Sequence, residues 1–420
     1  MRACPTGYIS PISAYVLFRS RANFKHREPK AIPSEWAENN PAAMTDGRAS
    51  APSAYPAAFT LEPELEVVIG HEALYFSAKK CFKNVGWKWS TQNYKLHLVE
   101  NVVRLADDLA SGKYKEGKTH PVHLTFPKER EALAISLKDR NVQRSVNDNK
   151  LYPARTRSLI YANFACQHGK GTDAARDYWK AALHRAYLKY GTNRFKIVVV
   201  DFEDYYGSMR HDLTNALLGE GLDEWTATFV ARTLDRQYKG VKGYNPGSQM
   251  VQIAGISYPN RLDHHMKEVV GVKIFMHYMD DYQMPAADDA EAMVVLAEIG
   301  SEAAKVGLRL HPEKTRIVSA AEGAVFLGFL YKVDERGKVL MFRAPKRVKE
   351  IRRRMRRLAN CERRGEVRRG AVAESYRCVR ACMAKGNSAR LLKRMDDFIN
   401  ELKGEIYADD KEIHGERHAA

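Results

Sequence analysis

No apolar run in this chain approaches the roughly 18 residues that a bilayer-spanning helix needs, which sets a membrane-embedded protein aside. The N-terminus lacks a continuous apolar core ahead of a small-residue cleavage site, so no secretory signal is expected. Cysteine is sparse: Cys4, Cys81, Cys166, Cys361, Cys378 and Cys382 are scattered and form no Cys-x-x-Cys pair. Cys378 and Cys382 share a helical face, but no further His or Cys lies near to complete a zinc site, and they read as ordinary reduced cysteines. A reducing cytoplasm is the expected location. Gly169-Lys170-Gly171-Thr172 lacks the first glycine of a Walker loop, which excludes nucleoside-triphosphate hydrolysis of that type. No internal repeat is visible. Acid is in deficit as well: 68 Lys and Arg face 51 Asp and Glu, a formal charge of +17. A chain this basic is expected to meet a polyanion, nucleic acid first and an anionic membrane second.

What is present divides the 420 residues into two or three packed subdomains. Residues 1–60 are punctuated by seven prolines among Ala and Ser, and read as an irregular extension; Met44 offers an alternative start. From Glu64 to Lys115 the pattern is helical, with Leu98, Val102, Leu105 and Leu109 as an apolar stripe. Trp87 and Trp89, in a basic stretch, read as core packing ahead of base stacking. Residues 120–160 read as a β-ribbon carrying cations, among them Lys128, Arg130 and Arg140. Thr172 or Asp173 is expected to cap a helix reaching about Tyr190. Lys196 to Phe202 reads as a buried strand, followed by helices near 210–219 and 223–236 and a helical stretch from Met250 to Val270. A further helix capped by Asp288 or Asp289 stops at Gly307. Phe326–Tyr331 and Val339–Phe342 form a hairpin. A helix after Pro345 buries Val348, Ile351, Met355 and Leu358.

The chemistry-bearing stretch is Tyr278-Met279-Asp280-Asp281. Apolar residues flank it on both sides, which places two adjacent acids at the tip of a β-hairpin. Such acids are costly to desolvate unless a cation compensates them, and Mg²⁺ suits this donor set. The tetrapeptide alone is a weak signal. Asp201 strengthens it, because it ends the β-branched run Ile197-Val-Val-Val200, where a central strand delivers a carboxylate to the sheet edge. A strand-end acid plus an Asp-Asp hairpin can hold two Mg²⁺ ions about 3.5–4 Å apart, for which Mn²⁺ can substitute. Phosphoryl transfer then needs mainly positioning and charge.

These residues, in this order, resemble the motifs of reverse transcriptases. Val199-Val-Asp201-Phe-Glu-Asp-Tyr-Tyr206-Gly-Ser208 resembles the first catalytic motif, and Tyr278-Met-Asp-Asp281 the second acidic one. Gly247-Ser-Gln-Met-Val-Gln252 is similar to the glycine-plus-glutamine motif of bacterial members. Lys314-Thr315 matches the downstream lysine motif and Phe326-Leu-Gly-Phe329 the primer-grip hairpin. The resemblance covers roughly residues 75–400. Val251 and Pro259 depart from the usual residues at their positions, which bears on template-strand details rather than on the chemistry.

The resemblance implies an α+β right-hand polymerase fold with fingers, a palm of antiparallel sheet plus helices, and a helical thumb. The implied division is 61–192 for N-terminal helices and fingers, 193–343 for palm, 344–405 for thumb and 406–420 for a charged tail. Asp201, Asp280 and Asp281, with the Phe202 carbonyl, would hold the metals. Lys314 would donate a proton to pyrophosphate. Tyr206 would exclude a ribose 2′-hydroxyl. Gly247 would permit close backbone approach, and Gln252 would face the incoming nucleotide. Lys128 and Arg130 would grip the triphosphate, and Lys170 would lie near the template. Met279 would sit near the primer end, and Phe326, Leu327 and Gly328 would form the primer grip. Residues 346–369 carry twelve cations against Glu350, Glu362 and Glu366. Such an excess, with Arg352, Arg353 and Arg356 at its centre, fits a helix laid along the phosphates of an RNA/DNA hybrid or a structured RNA.

The expected activity is RNA-directed DNA synthesis from dNTPs, with no membrane partner. A dedicated non-coding RNA in antiphage defence is the expected setting. Diversity-generating and group II intron-like enzymes are the alternatives within the family. A catalytically silent RNA-binding relative is the alternative of another class.

Overall fold

The computed structural model describes residues 63–124, 130–245 and 248–407. Residues 1–60, residues 408–420 of the 406–420 tail, Lys128 and Gly247 lie outside the described residues, and of Arg130 only the backbone is described. The fold is α+β: small antiparallel sheets set among many helices. Among the described residues no helix is long and apolar enough to cross a membrane.

Two compact units divide the described chain: one holds residues up to Lys115 with the His123–Arg130 segment, the other Glu116–Val122 and everything from Glu131 onward. The first unit is helical over Pro63–Ile69, His71–Cys81, Trp89–Leu96 and Leu98–Ala110. Its Leu98–Ala110 helix buries Val102, Leu105, Ala106 and Leu109, as the three-four spacing requires. Trp87 and Trp89 overturn the core reading. They are 41% and 77% exposed, because the Trp89–Leu96 helix turns Thr91 inward instead.

Strands β1 (His120–Leu124) and β2 (Arg130–Ala134) form the expected ribbon, but it ends there. Residues 137–156 are helical, not strand. Ser136 is the reason: its hydroxyl accepts from the Asp139 backbone N–H at 3.1 Å, and Asp139 in turn accepts from Ser136 Oγ and from Gly117 N–H. Satisfying the Asp139 N–H, a first-turn donor, starts a helix that the alternating pattern concealed. The Thr172–Tyr190 helix has the expected extent, yet its cap is Gly171 at φ +132°, with neither Thr172 nor Asp173 capping. The Met250–Val270 stretch is interrupted at Pro259, whose missing N–H breaks the ladder between the Gln249–Ser257 and Asn260–His264 helices.

The central sheet runs β4–β5–β3–β6: β3 is Lys196–Asp201, β4 Met276–Tyr278, β5 Asp281–Ala286 and β6 Arg316–Ser319. All pairs are antiparallel, and β3 lies between β5 and β6, as its unbroken apolar run demands. Helix Asp289–Lys305 follows β5, capped by Asp288 Oδ1 at 2.9 Å from the Glu291 N–H. A second sheet, β7 (Ala324–Phe326), β8 (Phe329–Val333) and β9 (Val339–Arg343), shares one core with the Thr172–Tyr190 helix through Trp179, Phe195, Phe326, Phe329 and Tyr331.

The C-terminal helices Pro345–Arg363, Ala371–Met383 and Ala389–Ile406 pack round Met355, Tyr376, Met383, Met395, Phe398 and Ile399. Glu362 ties this bundle. Its carboxylate is almost buried and accepts from Gly370 N–H at 2.6 Å, Val372 N–H at 2.8 Å and the Tyr407 hydroxyl at 2.6 Å. Burial alone would raise its carboxyl, but these donors hold it below the usual range. A single hydrogen bond to a charged group contributes about 1.5–3 kcal/mol, so Glu362→Ala, which loses three, is expected to lower stability by at least about that amount. The sign with pH follows. A carboxyl depressed in the folded state stabilises above the unfolded value of about 4.3 and loses that contribution as pH falls. Urea melts at pH 7 and pH 4 check it: the wild-type advantage over Glu362→Ala is expected to shrink at pH 4.

Candidate carboxylate site

Three acids meet at one end of the central sheet. Asp201, the last residue of β3, is the cross-strand partner of Asp281, the first residue of β5. Tyr278 pairs with Asp281, leaving Met279 and Asp280 as a two-residue turn between β4 and β5. Met279 has φ +60°, a left-handed conformation that costs a side-chain-bearing residue energy unless its surroundings hold it.

The loop before β6 closes against the same strand end. His311 N–H donates to Asp201 O at 2.8 Å, Thr315 Oγ1 donates to the same carbonyl at 3.2 Å, and Phe202 bridges to Leu310. This lacing delivers Lys314 Nζ to Asp201 Oδ1 at 2.6 Å. The strand-end acid and the downstream lysine, more than a hundred residues apart in sequence, are thus in direct contact.

The electrostatics are those of a cation-seeking cluster. Burial is the main cause of the Asp280 shift upward, with Asp201 adding to it. Asp281 is pushed up to about 7, by burial first and then by Asp280 and Asp201. Lys314 and His277 oppose the shift without cancelling it. Carboxylates are the donors a hard divalent cation takes, and one bound here would relieve the repulsion. Among the described residues no three His, Cys, Asp or Glu side chains already converge as metal ligands do. Donor type and charge fit such an ion, while the ammonium of Lys314 is the cation now in contact.

Tyr206 follows on the Tyr205–Ser208 turn of helix. Its ring lies against Gly255, where an added Cβ would stand 2.8 Å from the hydroxyl and 3.1 Å from ring carbons. The hydroxyl is buried with no hydrogen-bond partner among the described residues, and burial drives the phenol upward. Gln252 occupies the same helix one turn earlier, on the same face as Gly255. It is partly exposed while Met250, Val251 and residues 253–257 are buried. The Phe202 ring is buried, stacked on Tyr205 and edge-on to Tyr282.

Phe326, Leu327 and Gly328 form the β7–β8 turn, with Leu327 at φ +44° and Gly328 at φ +79°. The turn is tied to the acidic hairpin: Gln283 Nε2 donates to Val325 O at 2.8 Å, and the Tyr278 ring meets Phe326 edge-on. Two cations not singled out from the sequence hold it. Arg176 and Arg343 lie over Phe329, 5.0 and 4.9 Å from its centroid, and Arg176 donates to Leu327 O.

Other expected residues have partners within the chain. Lys170 Nζ donates to Tyr161 O and Asn163 O, at 2.9 and 2.8 Å, over the rings of Tyr161 and Phe164. Arg352 and Arg356 both lie over Phe398, and Arg353 and Arg356 are exposed while Arg352 is partly buried. Behind the acidic turn lies a group that sequence spacing did not single out: His277 and Asp263, paired and without solvent exposure.

No protein-family model matches the chain, and no curated protein matches it significantly.

Proposed function

We propose that the chain is an RNA-directed DNA polymerase, adding deoxynucleotides to a primer 3′-hydroxyl on an RNA template. The observation that carries this is the pairing of Asp201 with Asp281, with Asp280 in the intervening turn and Lys314 on Asp201. In this reading the central sheet with its helices is the palm, and the C-terminal helices are the thumb.

Asp201, Asp280 and Asp281 would hold two Mg²⁺ ions, with the Phe202 carbonyl as an added ligand; when bound, they supply charge for activating the primer hydroxyl and stabilising the leaving group. The protein's own part is orientation. The β3–β5 register sets the separation of the carboxylates. Lys314, once released from Asp201, would deliver a proton to departing pyrophosphate. Tyr206, seated on Gly255, would border the sugar, and Gln252 would face the base pair from the same helix. Lys128, Arg130 and Gly247 keep their proposed contacts with the triphosphate and backbone on the strength of the resemblance. Arg353 and Arg356, both exposed on the thumb, would meet a hybrid phosphate, Arg356 while lying over Phe398, whereas Arg352 is partly buried over the same ring.

Primer extension on poly(A)/oligo(dT) with Mg²⁺ tests the reading. Template-dependent dTTP incorporation is expected, and none with Mg²⁺ or Mn²⁺ would leave the silent RNA-binding relative as the better account. The proposed setting, antiphage defence with a dedicated non-coding RNA, rests on the resemblance. Sequencing RNA that co-purifies with the protein addresses it, a single enriched structured RNA being the expected result.

A further inference from the structure

We propose that His277 and Asp263 are positioning residues for the acidic turn, holding the Met279 carbonyl and so fixing the backbone from which Asp280 and Asp281 would reach a metal. The role as stated rests on the polymerase reading, but the contacts themselves do not.

His277 is the middle residue of β4, and neither it nor Asp263 has any solvent exposure. One ring nitrogen, Nε2, lies 2.8 Å from Met279 O; the other, Nδ1, lies 2.7 Å from Asp263 Oδ2. A carbonyl can only accept, so Nε2 carries a hydrogen and donates it. Nδ1 and the carboxylate then share one further proton. Whichever atom holds it, the pair is neutral as a unit, and this allows two ionisable groups to be buried together.

The ring cannot move to follow the turn. It stacks on Tyr282 with centroids 4.2 Å apart. Its backbone is clamped: His277 N–H donates to Ala162 O at 3.0 Å, and Phe164 N–H donates to His277 O at 3.0 Å. Asp263 is fixed by the Asn260–His264 helix. A rigid, doubly bonded imidazole is therefore aimed at the carbonyl of the one residue in the turn with a left-handed backbone. Local strain of this kind persists only when the surroundings over-determine it. The held carbonyl belongs to the peptide joining Met279 to Asp280, so its orientation sets the direction in which Asp280 leaves the turn.

Two side chains separate the two contacts. In His277→Asn the amide occupies the place of Nδ1 and meets Asp263, leaving the Met279 carbonyl unheld. In His277→Gln the amide nitrogen reaches the place of Nε2 and holds that carbonyl; pairing it with Asp263→Asn avoids an unpaired buried carboxylate. Both lose the ring stack on Tyr282, so a merely structural role would affect them alike. Outer-shell partners of metal ligands typically contribute 10–100-fold in affinity or activity.

The experiment measures Mn²⁺ binding by electron paramagnetic resonance, kcat and KM for dTTP, and the melting temperature of each variant. His277→Asn is expected to weaken Mn²⁺ binding and lower kcat, each by about 10-fold or more, with KM nearly unchanged. His277→Gln with Asp263→Asn is expected to stay within about 3-fold of wild type in both. Asp263→Asn alone, whose amide can donate to Nδ1 and leave Nε2–H on Met279, is expected to do the same. Equal loss in His277→Asn and the Gln/Asn double variant overturns the proposal, as does Asp263→Asn falling as far as His277→Asn. A wild type that incorporates no dTTP overturns the polymerase reading instead, and the Mn²⁺ comparison still decides what His277 does.

Discussion

Replacing Asp280 and Asp281 together by alanine is expected to abolish deoxynucleotide incorporation. Metal-borne charge stabilisation contributes several kcal/mol to such a transition state, and each 1.4 kcal/mol or so is tenfold in rate, so a loss of roughly 10³-fold or more follows. Poly(A)/oligo(dT) extension at saturating Mg²⁺ measures it, and a double variant as active as wild type would sink the enzyme reading. The acids also make a second expectation that runs the opposite way. Asp281 has its carboxyl pushed up to about 7 by burial, Asp280 and Asp201. An acid with a raised folded-state value binds its proton more tightly folded than unfolded. Its contribution is therefore destabilising above the unfolded value of about 3.9, grows until pH 7, and stays constant beyond. Asp281→Asn removes that penalty. In metal-free buffer at pH 8 the Asp281→Asn variant is expected to be more stable than wild type, by an amount on the order of a few kcal/mol. The difference is expected to vanish near pH 4 and to narrow when Mg²⁺ is added. A variant that melts lower than wild type at pH 8 would show that Lys314 and His277 already satisfy the site.

The part of this arrangement legible in the sequence is the part written locally. A β-branched run ending in Asp201 and an acid pair between apolar residues each declare a strand end or a turn within a few residues. Their antiparallel pairing then brings the acids together. The Asp288 cap and the Gly307 stop were local in the same way, and the structure has both. Ser136 was equally local but read against a competing alternation, and its cap with Asp139 turned ribbon into helix. Exposure was less legible than periodicity: Trp87 and Trp89 are apolar enough for a core, yet among the described residues they stand exposed. Least legible were contacts made by tertiary proximity alone. His277 and Asp263 lie fourteen residues apart in different elements, and Arg176 meets Leu327 across 151 residues. Nothing in spacing announces such pairs, although a histidine three residues ahead of the Asp-Asp pair was a hint.

Tyr206→Ala is expected to cost little in dTTP incorporation while reducing the preference for dNTPs over NTPs by about 100-fold. The reasoning is steric. In the proposed site the ring borders the sugar, and its position is set from behind by Gly255, which has no side chain to lift it. Gly255→Ala is therefore expected to displace the ring toward the proposed sugar position and to impair even dTTP binding, since the nearest contacts of an added Cβ are the hydroxyl and ring carbons of Tyr206 itself. The hydroxyl is not needed for exclusion: it is buried without a partner among the described residues. Removing such a group does not forfeit a hydrogen bond, and an unmet buried polar group costs about 1–3 kcal/mol. Tyr206→Phe is thus expected to keep the sugar preference and to raise the melting temperature slightly. Incorporation of dTTP and UTP by the three variants on poly(A) separates ring from hydroxyl. Equal use of both nucleotides by the unmutated protein would remove Tyr206 from the sugar side of the site and leave its contact with Gly255 as packing, and loss of preference in Tyr206→Phe would assign the exclusion to the hydroxyl instead of the ring.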